Sequence, residues 1–239
     1  MNTSSEEKVM YQIMNALNNS GIPISFKGSM VLRACLLEAG YSEDIRHTSD
    51  IDANWFSDDQ PTEEQIIQSM QKVVQQNGLN LDITLFRKYG EGRSAGFTFI
   101  DRDSGEILFT MDMDVNRHLP SIKVYEIGEI RFRGVIPTQM LADKVSVVST
   151  NKVFRRIKDV IDLYYLSKAF DFHREDVLEI MQKSGRTLGD FHGFLHRTDD
   201  LKHSYDKFRL SGDVAKPAFE EVYDTVHTYI HSMLPNEET

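Results

Sequence analysis

The sequence has a single cysteine and no long apolar run, and each scarcity argues against a class of protein. With only Cys35, an intramolecular disulfide is impossible, and a reducing cytoplasm is the simplest location. No segment approaches the roughly 20 apolar residues of a membrane span, and the N-terminus has no basic region followed by an apolar stretch. We therefore predict a cytoplasmic protein without a membrane span.

Positive charge is also scarce. The chain has 27 lysines and arginines against 37 acidic residues, which gives a formal net charge of −10. Because unspecific binding to nucleic acid depends on a positive surface, we expect a nucleic-acid substrate only at a local basic patch. The 239 residues are enough for one large domain or two modest ones, and the hydrophobic fraction of 40% is typical of a globular protein.

Hydrophobic periodicity changes near residue 136. Before it, we predict helices over 5–19, 30–39 and 62–76, the last with a capping box from Thr62 to Gln65, and strands over 24–26, 50–55, 81–87, 96–101, 107–116 and 129–133. After it, we predict helices that follow Pro137 and Thr150 and others near 173–184, 187–196 and 213–232. The predicted fold class is α+β, with a mixed-sheet domain over residues 1–135 and a helical bundle domain over 136–239.

Aspartates alternate along two of the predicted strands. Because side chains alternate between the faces of a strand, Asp50 and Asp52 point the same way while Ile51 points into the core. Asp112 and Asp114 repeat this arrangement on a later strand. If the two strands are neighbours, three or four carboxylates converge and suit Mg²⁺ or Mn²⁺ in a two-metal site for phosphoryl transfer. The alternative is an edge strand with aspartates that face solvent.

A Gly-Ser pair opens the second predicted helix. Gly28 lets the backbone approach a phosphate closely, and the helix N-terminus supplies N–H donors and the positive end of a dipole. Ser29 adds a hydroxyl group, and Lys27 adds a positive charge. The alternative is an ordinary turn in which Ser29 caps the helix.

Four segments occur in an order that resembles a known family. They are Phe26-Lys-Gly-Ser-Met-Val-Leu, Arg46-His-Thr-Ser-Asp-Ile-Asp, Leu141-Ala-Asp-Lys and Arg156-Ile-Lys-Asp-Val-Ile-Asp-Leu-Tyr-Tyr-Leu. The Gly-Ser turn followed by Asp-hydrophobic-Asp and a third aspartate resembles the DNA polymerase beta nucleotidyltransferase superfamily. The whole ordered set resembles its AbiEii/AbiGii-type nucleotidyltransferases, many of which are toxins of toxin–antitoxin and phage-abortive systems.

The resemblance implies a polymerase-beta-like fold, an NTP substrate, Mg²⁺ or Mn²⁺, and a helical domain that completes the active-site cleft. Asp50 and Asp52 would bind metal, and Asp114 or Asp112 would be the third carboxylate, which activates the attacking hydroxyl. Asp159 would be an essential carboxylate with Asp162 as its structural companion. The implied nucleotide-binding residues are Lys27, Gly28, Ser29, Arg46, Ser49 and Lys144.

Other interpretations of the late residues and of the acceptor stay open. Lys144 is alternatively a solvated lysine, and Arg155–Asp159 and Lys158–Asp162 are alternatively surface ion pairs. The toxin resemblance favours RNA, such as the acceptor end of tRNA, and a cognate antitoxin as partner. The alternatives are a small-molecule acceptor, as in antibiotic nucleotidyltransferases, and a non-catalytic module that binds NTP or metal. Arg87, Lys88 and Arg93 form either a substrate-facing patch or a solvated loop.

Overall fold

The computed structural model describes residues 5–41, 47–90, 93–117, 119–210 and 214–234. The chain divides into two compact units, one from residues 1–35 and 47–135 and the other from residues 36–46 and 136–239. The first contains a mixed sheet with helices and the second is helical, which confirms the predicted α+β fold class.

The sheet unit has seven strands among its described residues. They are β1 (Ile24–Lys27), β2 (Asp50–Trp55), β3 (Leu81–Arg87), β4 (Ser94–Asp101), β5 (Ile107–Val115), β6 (Ile122–Ile127) and β7 (Ile130–Val135). Their order across the sheet is β3-β4-β5-β2-β1-β7-β6. β2 pairs with β5 and β1 pairs with β7 in parallel, and the other neighbours are antiparallel.

Helices cover the apolar face of this sheet. The helices of the unit are α1 (Ser5–Asn19), α2 (Gly28–Glu38), whose last residues belong to the second unit, and α3 (Glu63–Gln76). α1 packs on β1, β5 and β7, and α3 packs on β3 and α1. Phe26, Ile51 and Met111 are fully buried on this face, and burial of each such side chain contributes about 1.5–3 kcal/mol. The opposite face carries the polar side chains of β1, β2 and β5.

The sequence predicts the strand pattern of the sheet unit well except at one edge. β2 and β3 have the predicted bounds, and Thr62 forms the predicted capping box with Gln65. The prediction omits β6 and begins the following strand at residue 129, whereas β7 spans Ile130–Val135. The sequence gives no clear signal for β6. Its alternating apolar residues, Ile122 and Val124, are each 41% exposed at the edge of the sheet, whereas the neighbouring Tyr125 is buried.

The second unit is built around one central helix. Its helices are α4 (Pro137–Val148), α5 (Ile157–Ala169), α6 (Arg174–Lys183), α7 (His192–His196), α8 (Thr198–Lys207) and α9 (Phe219–Met233), with a 3₁₀ turn over Asn151–Arg155. α5 packs on α4 and α9 and is buried on nearly all sides, which is typical of a core helix. Tyr164, Tyr165 and Leu166 lie in this core, as the sequence predicts.

Three helices of this unit differ from the prediction. The predicted helix over 187–196 is reduced to α7, because Gly189 lies so close to Ser149 that a Cβ there would be 2.2 Å from its carbonyl oxygen. α8 is not predicted because it buries only Leu201 and Tyr205, which leaves a weak periodic signal. The predicted helix over 213–232 begins later, at Phe219, after Pro217.

Among the described residues, no helix has both the length and the apolar character needed to cross a membrane.

Candidate active site

The turn between β1 and α2 brings the backbone of Gly28 against the carboxylate of Asp52. β1 ends at Lys27, and Gly28 has a φ of +72°, in the left-handed region that glycine tolerates. A Cβ at Gly28 would lie 2.1 Å from Oδ2 of Asp52, closer than any real contact. Position 28 therefore requires glycine for two reasons: the backbone conformation, and the space that the Asp52 carboxylate takes up.

Ser29 follows in the first turn of α2, which places a hydroxyl group at the N-terminus of an 11-residue helix. Helix N-termini bind phosphate well because backbone N–H groups and the positive end of the dipole point outward there. Lys27 is the register partner of Asp52 across the β1–β2 pair. The candidate phosphate-binding turn therefore lies directly beside Asp52, the second aspartate of β2.

Four aspartates share the polar face of the sheet. Asp50 and Asp52 alternate with the fully buried Ile51, as the sequence predicts. β5 lies parallel to β2, with Asp112 opposite Asp52 and Asp114 opposite Asn54. The two Asp-x-Asp segments therefore lie side by side, and Asp112, not Asp114, is the register partner of Asp52.

Cationic side chains neutralise the two aspartates of β5. Asp114 forms ion pairs with Lys27 and, at 2.9 Å, with Arg117. Burial opposes ionisation of Asp114, but the charges and hydrogen bonds of these two cations outweigh it and hold the pKa of this carboxyl below its usual value. Asp112 binds Nη2 of Arg87 through Oδ1 at 2.7 Å, and about half of each side chain is exposed. Asp112 is therefore the more accessible carboxylate.

A hydrogen-bonded network from α1 supports Asp50. The Thr48 hydroxyl donates to Oδ1 of Asp50, and the Thr48 backbone N–H donates to Oε1 of Glu7 at 3.3 Å. The Glu7 side chain is fully buried and also binds Arg33 at 3.1 Å and Nδ1 of His47 at 2.9 Å. Since buried charges are stable only when paired, this network fixes the segment that enters β2.

The carboxylates of β2 have the chemistry to hold a divalent cation. Among the described residues, no group of three or more acidic, histidine or cysteine side chains is arranged to hold a metal ion. Mg²⁺, however, is commonly bound by one or two carboxylates, with water and substrate phosphates as the remaining ligands. Asp50 and Asp52 supply such a pair, because both side chains lie on the same face of β2. These residues fit the ion.

Lys144 of α4 and two aspartates of α5 form a buried cluster in the helical unit. Nζ of Lys144 lies 2.7 Å from Oδ1 of Asp159 and 2.7 Å from Oδ2 of Asp162. Nε of Arg156 binds the other oxygen of Asp159 at 2.6 Å. Burial opposes ionisation of Asp159, but Lys144 and then Arg156 lower its pKa to about 2. The same carboxylates raise the pKa of the Lys144 ammonium against the opposing effect of burial.

These contacts exclude the surface interpretation of the late residues. Asp159 and Asp162 are each 1% exposed, so neither forms a solvated pair, and their partners are Lys144 and Arg156. Lys144 is likewise not a solvated lysine, because its side chain is 12% exposed.

Two further predicted nucleotide-binding residues precede β2. Ser49 is exposed, and its carbonyl oxygen accepts a hydrogen bond from the backbone N–H of Thr110 at 3.4 Å. Arg46 lies outside the described residues.

Sequence reasoning missed several residues that hold the site. Glu7 gave no signal, because an acidic residue in the first turn of a helix is common. Thr48 offers a signal that the motifs do not use, because a hydroxyl two residues before an aspartate is a frequent local hydrogen-bond donor. The contact of Lys27 with Asp114 joins residues 87 positions apart and depends on the strand order.

A strand-to-helix Gly-Ser turn packed against paired aspartates on a mixed sheet is the arrangement of a nucleotidyltransferase. The family model described as "Nucleotidyl transferase AbiEii toxin, Type IV TA system" matches residues 10–225. The chain therefore belongs to the AbiEii nucleotidyltransferase toxin family, which confirms the resemblance seen in its motifs.

The chain is also similar to solved structures, and the first of them shows the same fold. MenT4, a nucleotidyltransferase toxin from Mycobacterium tuberculosis H37Rv, superposes with a TM-score of 0.59 at 15% identity, over 97% of this chain and 84% of that one. An antigenic nucleotidyltransferase-like protein from Paracoccidioides brasiliensis gives a TM-score of 0.49 at 12% identity, over 89% of this chain and 98% of that one. No curated protein sequence matches the chain.

Proposed function

We propose that this nucleotidyltransferase moves a nucleotidyl group from an NTP to a hydroxyl group of RNA, such as the acceptor end of tRNA, and depends on Mg²⁺ or Mn²⁺. The observation that carries the proposal is the contact of the Gly28 backbone with the Asp52 carboxylate at the N-terminus of α2. It joins a phosphate-binding element to a metal-binding group, and nucleotidyl transfer needs both.

Within the proposal, different residues of the sheet unit bind the triphosphate and the divalent cation. The N–H groups at the start of α2 and the Ser29 hydroxyl bind the triphosphate, and Lys27 adds positive charge near it. Asp50 and Asp52 hold the divalent cation. When bound there, the cation supplies positive charge to the phosphate oxygens.

We propose Asp112 as the carboxylate that accepts the proton of the attacking hydroxyl. A bond forms from the acceptor oxygen to the α-phosphorus, the bond to the pyrophosphate oxygen breaks, and the proton passes to Asp112. Asp112 is half-exposed, lies opposite Asp52 and pairs with one half-exposed cation, Arg87, whereas Lys27 and Arg117 both bind Asp114 and lower its pKa. A carboxylate bound in that way is the weaker base.

The helical unit contributes a positioned ammonium group. We propose that Lys144 contacts the phosphates and that Asp159 is essential because, with Asp162, it fixes the Lys144 side chain. An ammonium has three N–H donors, and the 2.7 Å contacts direct two of them to these carboxylates. The division into a nucleotidyltransferase domain over 1–135 and a helical domain over 136–239 that completes the cleft belongs to the same proposal.

The biological setting follows from the family. AbiEii proteins belong to Type IV toxin–antitoxin systems, and we propose that a cognate antitoxin neutralises this toxin in the cytoplasm. The cytoplasmic location is the one predicted from the single cysteine.

Incubation with NTPs labelled at the α-phosphate and total RNA tests the proposal. Label on an RNA band supports the RNA acceptor, and loss of that label with EDTA supports the divalent cation. Asp50→Asn and Asp52→Asn should abolish labelling, while Asp103→Asn, at an exposed turn of the same unit, should retain it. Label on a small molecule instead of RNA would contradict the RNA acceptor and favour a small-molecule acceptor. NTP binding without pyrophosphate release would contradict catalysis and favour a non-catalytic binding module.

A further inference from the structure

A bulge in the edge strand β3 turns two consecutive side chains toward the face with the aspartates. β3 and β4 pair in regular antiparallel register as far as Leu85 and Phe97, and the next pair is Arg87 with Gly96. Phe86 is therefore the additional residue of the bulge. Without it, Phe86 and Arg87 would point to opposite faces, because side chains alternate along a strand.

Gly96 makes room for the Phe86 ring. A Cβ at Gly96 would lie 2.4 Å from Cζ of Phe86, so the ring rests on the backbone of β4. Gly96 is the register partner of Asp112, which in turn lies opposite Asp52. The ring thus lies on the face that carries the proposed catalytic aspartates, one strand away from Asp112.

The ring stays 53% exposed, and it is the one aromatic group among the exposed large hydrophobic side chains of the described residues. Burial of an aromatic ring is favourable, and a ring that stays half exposed gains only part of that free energy. Cover of Gly96 accounts for one side of the ring only, and more than half of the side chain remains accessible to a ligand.

Three arginines lie at the same end of the sheet as this ring, in a protein with a net charge of −10. Arg87 binds Asp112, Arg93 donates to the carbonyl oxygen of Asn116 at 3.2 Å, and Arg117 binds Asp114. Arg87 ends β3, Arg93 directly precedes β4, and Arg117 follows β5 by two residues. An exposed aromatic ring and arginines at one end of a sheet are the combination that binds unpaired bases, by stacking and by attraction of the phosphates.

We propose that Phe86 and Arg87 form a binding site for a nucleobase, which stacks on the Phe86 ring next to Asp112. The inference deepens the proposed function and rests on it for the position of the reacting groups. The base belongs either to the acceptor RNA or to the NTP, and both share the stacking chemistry. The competing explanation is that Phe86 only covers Gly96, as aromatic side chains do beside glycines in sheets.

Direct binding tests the site without catalysis. The probes are single-stranded oligoribonucleotides of A, C and U, and the four NTPs with Mg²⁺. Phe86→Leu keeps an apolar cover over Gly96 but removes the ring, and should weaken binding of one probe class on the order of 5- to 150-fold. Phe86→Trp should restore affinity, and its indole fluorescence should be quenched when a base stacks on it. Val124→Ala, at the opposite edge of the sheet, is the control and should bind like the wild type.

The outcomes distinguish the acceptor RNA from the NTP as the source of the base. They also distinguish failure of the stacking site from failure of the proposed function. Weaker binding of RNA alone assigns the site to the acceptor, and weaker binding of NTP alone assigns it to the nucleotide. Equal binding of all probes by wild type and Phe86→Leu, no binding by the wild type, or unquenched Phe86→Trp overturns the site. If Phe86→Leu loses affinity while the wild type transfers no label to any acceptor, the stacking site stands and the proposed function fails.

Discussion

Gly28 and Asp52 are in such close contact that the carboxylate occupies the place of a glycine side chain. An ideal Cβ at Gly28 would lie 2.1 Å from Oδ2 and 2.9 Å from Cγ of Asp52. Gly28 belongs to the first turn of α2 and Asp52 to β2, so the contact couples the helix N-terminus to the strand that carries the aspartates. A methyl group at position 28 would therefore displace the Asp52 carboxylate from the N-terminus of α2.

Gly28→Ala should reduce nucleotidyl transfer at least 100-fold. The new Cβ must displace the Asp52 carboxylate, and alanine at a φ of +72° adds a backbone strain of about 1–2 kcal/mol. Rates of transfer from α-labelled NTP and melting temperatures of both proteins measure the two effects.

Gly21→Ala is the matched control for this substitution. Gly21 has a φ of +78° in the same unit, but nothing lies within 4 Å of the position that an added Cβ would take. It should lower the melting temperature by a similar strain and keep its activity. Equal activity of Gly28→Ala and Gly21→Ala would show that the Asp52 contact is unimportant.

Thr48→Val should lower kcat about 10-fold with little change in KM. Valine has the shape of threonine but cannot donate to Oδ1 of Asp50, so this carboxylate loses its fixed orientation. Thr48→Ser keeps the hydroxyl group and should stay close to wild type. If serine and valine have the same effect, the hydroxyl group does not position Asp50.

The sequence predicts local features of this site better than its long-range contacts. Strand alternation correctly places Asp50 and Asp52 on one face, and the capping box at Thr62 forms as expected, because both depend on neighbouring residues. The bond of Glu7 to Thr48 spans 41 positions and depends on how α1 packs. Periodicity contains no information about such packing.

The same limit applies to the choice between Asp112 and Asp114. Both alternate correctly along β5, and only the register with β2 shows that Asp112 lies opposite Asp52. The bulge at Phe86 is equally hidden, because the spacing of β3 is that of a regular strand. Local patterns thus identify the candidate residues, and strand pairing decides which of them meet.

Asp112→Asn should reduce kcat on the order of 100- to 10,000-fold, the range of a general base. Asp114→Asn removes the partner of Lys27 and Arg117 and should affect KM for NTP more than kcat. Steady-state kinetics of both variants with one NTP and one RNA acceptor provide the comparison. A larger loss of kcat in Asp114→Asn would make Asp114 the third carboxylate.

Asp159 should make stability depend on pH in the acid range. Its pKa is lowered from 3.8 to about 2, so it stabilises the folded state above pH 3.8, and this contribution is lost as the pH falls toward 2. The shift corresponds to a contribution on the order of 2 kcal/mol. Asp159→Asn should abolish this part of the pH dependence and destabilise the protein by about 3–5 kcal/mol at neutral pH, because Lys144 stays buried with one carboxylate fewer. Urea unfolding between pH 7 and 2 measures both effects, with the exposed Asp199→Asn as control. An unchanged pH profile in Asp159→Asn would mean that the ion pair with Lys144 does not form in solution.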